Sequence, residues 1–448
     1  MIVGENEYIS QLQIDFPAFT IITVVSFLLL FLHKLLSPWV ELPRLPEQWL
    51  AFRSGLAWTI LKDRVGFSED MVLDHETGFA IISSDPGKVS WNALWVGTCN
   101  NVYVSLLSDS KQGRNQTPQQ QGRLLLYDYG GSGSLREMHL VNFPTTFNFH
   151  PLGIGLYREE EDSHARLFVV NQGNVDKSSI EVMDMDYEDA RAVHVCSVTD
   201  NNHTIRSPNS VSPVSYTSFY VTNDQCLIRR RHPFLSFTER VLGLPLGWVT
   251  FVDFSVQSKP ICTIVAGGIP FANGILVTPT GREVLVASTS TDIVRIYKRD
   301  PETDALSGNY SAVYMTFHPE TLSFDRSLNI TDPTVFNTNG NFIRGVVATG
   351  SPDAGRLFCM AKNPHGCVAP SVVAEIRRGH GLDLSPFPGS LFNLYSKYYA
   401  RTLYADDGSN YPSGTSSDMD SKRGRLIVSG LYADGLLNIT WDPTENRH

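Results

Sequence analysis

The stretch Phe271–Ser288, FANGILVTPTGREVLVAS, holds two short apolar runs, Gly274–Thr278 and Glu283–Ser288, broken by Pro279 and Gly281. Each run is short, rich in β-branched residues and bounded by turn formers, which reads as two strands joined by a tight turn. A third run, Ile293–Lys298, follows directly. The same grammar extends in both directions. Upstream lie Arg123–Tyr129, Arg166–Asn171, Ile180–Tyr187, Ser218–Thr222 and Trp248–Phe254. Downstream lie Val346–Thr349, Arg356–Met360, Thr402–Ala405 and Arg425–Leu431. No long helical pattern interleaves them. About two dozen short strands without intervening helices predict radially repeated four-stranded sheets, an all-β propeller, with a double β-sandwich as the alternative.

Composition narrows the partners. The 448 residues carry 36 Lys and Arg against 46 Asp and Glu, a net charge of −10. A chain this acidic lacks the positive field that phosphate backbones require, so no nucleic acid is expected as a partner. Aromatic residues at 11% argue for packed surfaces and against disorder.

The N-terminus reads as a membrane segment. Residues 1–15 form an acidic tail, and Phe16–Leu32 is uncharged, with Leu35 and Leu36 extending the run. As a helix the uncharged part would be about 26 Å long, enough for a thin bilayer. No basic segment precedes it and no small-residue cleavage site follows, so residues 16–36 are expected to be a retained transmembrane or signal-anchor helix. The propeller would then occupy 37–448, with a polar insert at 91–121 ending in KQGRNQTPQQQ. Lys34, Arg44 and Arg53 favour a cytosolic domain, whereas N-x-S/T sequons at Asn115, Asn202, Asn309, Asn329 and Asn438 favour glycosylation in a secretory lumen. The lumenal placement is preferred. Six cysteines are scattered; Cys359 and Cys367 are close enough to close one loop, or all six are buried thiols.

Propellers bind ligands at one mouth of the axial channel, so site residues come from separate blades as isolated polar positions beside turns. Four such places are Ser68-Glu69-Asp70, Ser207-Pro208-Asn209-Ser210, Phe271-Ala272-Asn273-Gly274 and Leu328-Asn329-Ile330-Thr331. A carboxylate with several amide oxygens is a hard-oxygen set of the kind Ca²⁺ accepts. Asn beside Gly is also a common turn residue.

The runs HPLGIGLY (150–157), RLFVVNQ, SPNS (207–210), SFYVTND (218–224), LGLP (242–245), FANGILVTPTGREVLVAS and LYADDG (403–408) together resemble the serum paraoxonase/arylesterase family. That resemblance implies a six-bladed β-propeller related to gluconolactonases, with calcium in its channel and lactonase or esterase activity. It implies catalytic calcium ligands at Glu69, Asn209, Asn273 and Asn329, and a structural calcium at Asp70 and the Ile154 carbonyl. The departures are specific. The family's Asp before the last ligand is Leu328, its second structural Asp is Ser210, its two catalytic histidines are Leu152 and Gln172, and a pocket His-Pro reads Ser351-Pro352. No Cys lies near either end of the matched region to form the family's terminal disulfide.

Three functions follow. The first is a hydrolase of small apolar lactones or aryl esters, with Glu69 as base and metal ligand and Asn273 and Gln172 as hydrogen-bonding groups. The second is a non-hydrolytic pocket enzyme of secondary metabolism, a pericyclase, Diels-Alderase or cyclase, which the loss of both histidines would suit. The third is a catalytically inactive, membrane-tethered binding module. His150 lies two residues before Leu152 and is expected to be a structural histidine, with partial substitution for the missing base as the alternative. No G-x-S-x-G, H-E-x-x-H, phosphate loop or dinucleotide fingerprint points elsewhere.

Overall fold

In the computed structural model the described residues are 56–87, 121–144, 148–159, 162–173, 178–200, 202–228, 232–256, 259–364, 366–379 and 397–443. They form six antiparallel sheets arranged in chain order, which settles the architecture as a six-bladed β-propeller and excludes the double sandwich. The expected tail and anchor (1–36) and nearly all of the insert lie outside these residues. Among the described residues no helix is long and apolar enough to cross a membrane.

The innermost strands are Met71–Asp74, Pro151–Tyr157, Pro208–Ser215, Ala272–Val277, His318–Phe324 and Gly414–Asp420, in blades 1 to 6. Blade 6 takes its outer strand from the other end of the chain: Leu56–Ile60 pairs antiparallel with Leu436–Thr440. The ring is therefore closed by backbone hydrogen bonds between residues about 380 positions apart in sequence, which leaves no open edge there. Blade 2 carries a fifth strand, His139–Val141, parallel to Arg191–Val198.

Alternation along each strand sends apolar side chains into the layers between blades. Phe168 of blade 2 meets Phe219 and Phe254 of blade 3 with ring centroids 5.6 and 6.2 Å apart. Near the axis the strands approach too closely for side chains. A Cβ on Gly153 would lie 2.4 Å from the Asn209 carbonyl oxygen, and one on Gly274 would lie 2.7 Å from that of Glu320. Only glycine fits at these crossings.

Two helices interrupt the strands. Helix α1, Pro233–Val241, follows the second strand of blade 3, and α2, Ala354–Lys362, follows that of blade 5. Helix α2 corrects the expectation of a strand over Arg356–Met360. Asp353 caps it, its side chain accepting from the Arg356 N–H at 2.9 Å, and a cap of this kind outweighs the short apolar run. Cys359 at its end is disulfide-bonded to Cys367, with Cα atoms 5.8 Å apart. Of the sequons, Asn202, Asn309 and Asn329 are exposed and Asn115 lies outside the described residues. Asn438 is 2% exposed in the third strand of blade 6, so the fold gives a glycan no access to it.

Candidate active site at the upper mouth of the channel

The inner strands all begin at the same end of the channel, here the upper mouth. Five of them carry a register break within their first residues, at Leu152–Gly153, Asn209–Ser210, Asn273–Gly274, Glu320 and Thr415. A bulge re-aims the side chain it carries, and bulges concentrate at barrel rims and active sites. Three of the approaches are further bent by residues in the left-handed region: Phe67 (φ 53°), Phe271 (φ 51°) and Ser413 (φ 53°). Each stands two positions before a rim residue, namely Glu69, Asn273 and Thr415. For a phenylalanine this backbone costs about 1–2 kcal/mol, so the surrounding fold enforces it.

The result is a polar rim. Asn273 Nδ2 donates to Glu320 Oε2 at 2.5 Å, joining blades 4 and 5. Thr415 Oγ1 donates to the Glu69 carbonyl at 3.0 Å, and Thr321 Oγ1 to the Thr415 carbonyl at 2.7 Å. Asn209 Nδ2 leans on Asp224 Oδ2 at 3.5 Å, and Asp224 also accepts from the Ser207 hydroxyl. The amide nitrogens of Asn209 and Asn273 are thus turned to carboxylates, which leaves their carbonyl oxygens as acceptors. Leu152 takes the corresponding place in blade 2 but packs into the apolar layer with Phe168 and Val211.

Asn329 does not belong to this rim. It follows the inner strand of blade 5 and so lies at the lower mouth, exposed, where its Oδ1 accepts from Thr331 N at 2.9 Å and closes a local turn. Glu320 occupies the blade-5 position instead, and sequence reading missed it. The only signal was its place two residues after His318, at the start of a strand not singled out from the letters. The rim therefore holds two carboxylates, Glu69 and Glu320, with the amide oxygens of Asn209 and Asn273. That donor set fits a calcium-type cation better than one carboxylate with three amides. Among the described residues no group of three or more His, Cys, Asp or Glu side chains is placed to hold a metal, as expected for a set half made of amides.

The expected structural calcium does not fit. Asp70 Oδ2 accepts from Ile154 N at 2.8 Å, and Asp70 Oδ1 accepts from Met71 N at 2.8 Å and Ser416 Oγ at 2.7 Å. Ile154 thus supplies its N–H to the set of donors that saturates the Asp70 carboxylate. Ser210 has no carboxylate, and its N–H goes to Thr222 Oγ1. Burial pushes the Asp70 pKa up to about 6, against the pull of these hydrogen bonds.

Gln172 lies at the upper end, its N–H on the His150 carbonyl at 3.0 Å and its Nε2 on the Pro208 carbonyl at 3.2 Å. Beside it, His150 Nδ1 is 2.9 Å from Asp85 Oδ2, with both side chains buried. A second pair, His318 Nδ1 and Asp292 Oδ1 at 2.5 Å, is half-exposed on the far side of the mouth. Burial pulls the His318 pKa down, but the Asp292 carboxylate outweighs it and leaves the net shift upward. Above the rim, Phe67 packs edge-on to Tyr432, and Arg240 of α1 lies over the rings of Phe271 and of Phe358 in α2.

A family model, arylesterase, matches residues 113–325, which takes in Leu152, Gln172, Asn209, Asn273 and Glu320. The chain is 28% identical to serum paraoxonase/arylesterase 1 of Mus musculus over 184 residues, 41% of this chain and 48% of that protein. It is 29% identical to serum paraoxonase/arylesterase 2 of Rattus norvegicus over 154 residues, 34% of this chain and 40% of that one. Over this stretch the chain is similar to the arylesterase family. It spans about half the length of the curated relatives it matches. Among solved structures it is similar to a luciferin-regenerating enzyme at TM-score 0.47 and 11% identity, over 86% of this chain and 95% of that one. Within this family setting the blade-2 position of the rim is the divergent one, since it carries Leu152 in place of a polar side chain.

Proposed function

We propose that this protein is a hydrolase of small apolar lactones or aryl esters, acting at the upper mouth of its channel. The observation that carries the reading is the convergence of Glu69, Asn209, Asn273 and Glu320 from four blades on one rim, in a relative of the arylesterase family. These four residues would hold a calcium ion, which when bound would polarise the ester carbonyl as a Lewis acid. Asp224 and the Asn273–Glu320 bond orient the amides, so that their carbonyl oxygens need no reorganisation when a substrate arrives. Phe67, Tyr432, Phe271 and Phe358 offer an apolar wall for the acyl or aryl part. The apolar segment 16–36 would tether the propeller to a membrane of the secretory pathway, with the catalytic domain in the lumen.

The test is a panel of alkyl-substituted lactones and aryl esters assayed with calcium, with a chelator, and after calcium is restored. Hydrolysis that is lost on chelation and returns with calcium is expected. A protein inert to every ester, with calcium present, would sink the reading. If such a protein still bound apolar ligands, the non-hydrolytic pocket enzyme would replace it; Leu152 in the rim favours that second reading.

A further inference from the structure

The family's histidine positions are Leu152 and Gln172 in this chain, which leaves the proposed hydrolysis without a histidine base at those positions and Glu69 committed to the cation. We infer that His150, oriented by Asp85, is the general base of this site. This rests on the hydrolytic reading given above.

The pair is assembled across a blade boundary. Asp85 follows the second strand of blade 1, Phe79–Ser84, and is held by its own N–H on the Phe67 carbonyl at 3.1 Å. Phe67 is the left-handed residue two positions before Glu69. His150 directly precedes the inner strand of blade 2. Its N–H donates to Asn171 Oδ1 at 2.9 Å and its carbonyl accepts from Gln172 N at 3.0 Å, so its backbone is clamped from both sides. Asn171 is itself fixed by the buried Glu181, 3.1 Å from its Nδ2. The imidazole is thus placed at the upper mouth, between the Glu69 approach and the missing polar residue of blade 2.

The chemistry follows from the contact. Nδ1 lies 2.9 Å from Asp85 Oδ2, and the side chains are 4% and 2% exposed. A carboxylate at that distance takes the proton on Nδ1, which puts the basic lone pair on Nε2 and stabilises the imidazolium that forms. In the reaction, Nε2 accepts a proton from water while the water oxygen bonds to the ester carbonyl carbon. The carbon–oxygen bond to the leaving alkoxide then breaks, and the imidazolium returns its proton to that alkoxide. Lactone and water give the hydroxy acid, with no other reactant. Among the described residues Asp85 is the charged group bonded to this imidazole, and Asn171 and Gln172 are its neutral backbone partners.

The wild-type full-length protein, His150→Gln and Asp85→Asn would be compared on the best lactone of the panel, with calcium saturating and folding checked by circular dichroism. For His150→Gln, kcat should fall by about 10²–10⁴-fold while KM stays within about threefold. Asp85→Asn leaves an amide against Nδ1 and should lower kcat in the same direction with His150 intact. Wild-type hydrolysis with both variants folded and fully active would overturn His150 as the base while leaving the hydrolase reading in place. A wild type inert to every ester would remove both.

Discussion

The two mouths of the channel are built from the same strands and use their polar residues in opposite ways. At the lower mouth, charged groups are consumed by one another and by backbone. Asp74 pairs with Arg158, whose Nη1 also donates to the Asp162 and Ser163 carbonyls at 2.8 Å each. Asp418 accepts from Leu73 N at 3.0 Å, and Asp420 holds Tyr129 OH at 2.8 Å and Arg423 at 2.7 Å. Asp325 is fully buried and accepts from Ser327 N and Ser421 N. At the upper mouth, bulges and left-handed residues accompany Glu69, Asn209, Asn273 and Glu320 on the rim. Backbone strain is concentrated at the upper mouth, and saturated ion pairs and hydrogen bonds at the lower one.

Axial charge sharpens the contrast. Arg326 follows the inner strand of blade 5, yet it interacts electrostatically with Asp418 of blade 6 and with Tyr157 of blade 2. Blades 5 and 2 face each other across a six-bladed ring, so the guanidinium reaches into the axis near the floor. Arg326 is exposed by area, and desolvation by the protein crowded around it pulls its pKa below the ordinary arginine value. A protein-borne cation thus lies among the carboxylates of the lower half.

Three substitutions test this division. The largest effect is expected for Glu320→Gln, which removes one of two rim carboxylates: activity should fall about 10³-fold, some 4 kcal/mol, and calcium should no longer raise the melting temperature. Asn329→Ala, at the other mouth, should leave both within experimental scatter; equal losses in the two variants would erase the distinction between the mouths. Next, Asp74→Ala leaves the partly buried Arg158 without its carboxylate and should cost about 2 kcal/mol in chemical denaturation, with the specific activity of the folded fraction intact. Loss of activity without loss of stability would show the lower mouth to be functional.

The last effect concerns pH. Burial pushes the Asp418 pKa up to about 6, against an ordinary value of 3.8. The folded state therefore binds this proton more tightly than the unfolded chain does. Its contribution to stability is full below about pH 4 and is lost as pH rises through about 6, an effect of about 3 kcal/mol at most. Asp418→Asn should match the wild type near pH 4 and gain on it by pH 7. Parallel stability curves from pH 4 to 7 would show that Asp418 is not the group responsible.

Much of the architecture was legible because strand patterning is local. Arg166–Asn171 and Glu283–Ser288 begin and end where their alternation and flanking turn residues place them. Arg356–Met360 was misread because five apolar-rich residues do not distinguish a strand from a helix, and the Asp353 cap decided the matter. The site was legible in part. Glu69, Asn209 and Asn273 share the upper mouth as the resemblance implied, whereas Asn329 and Glu320 exchanged places. Nine positions separate those two, and the resemblance carried the ligand onto Asn329 because nothing local singles out the Glu inside HPETLSF.

By itself the sequence determined the strand grammar, the all-β class and the polar residues beside the turns of blades 1, 3 and 4, since each depends on neighbours a few positions apart. Tertiary structure alone decided which mouth each polar residue faces, that Asp70 is satisfied by N–H and O–H donors, and that Asp85 meets His150 from 65 positions away. The physical reason lies in the bulges. One extra residue in an inner strand turns a side chain from the layer between blades to the channel, and its presence depends on how the next blade packs, which no local pattern records.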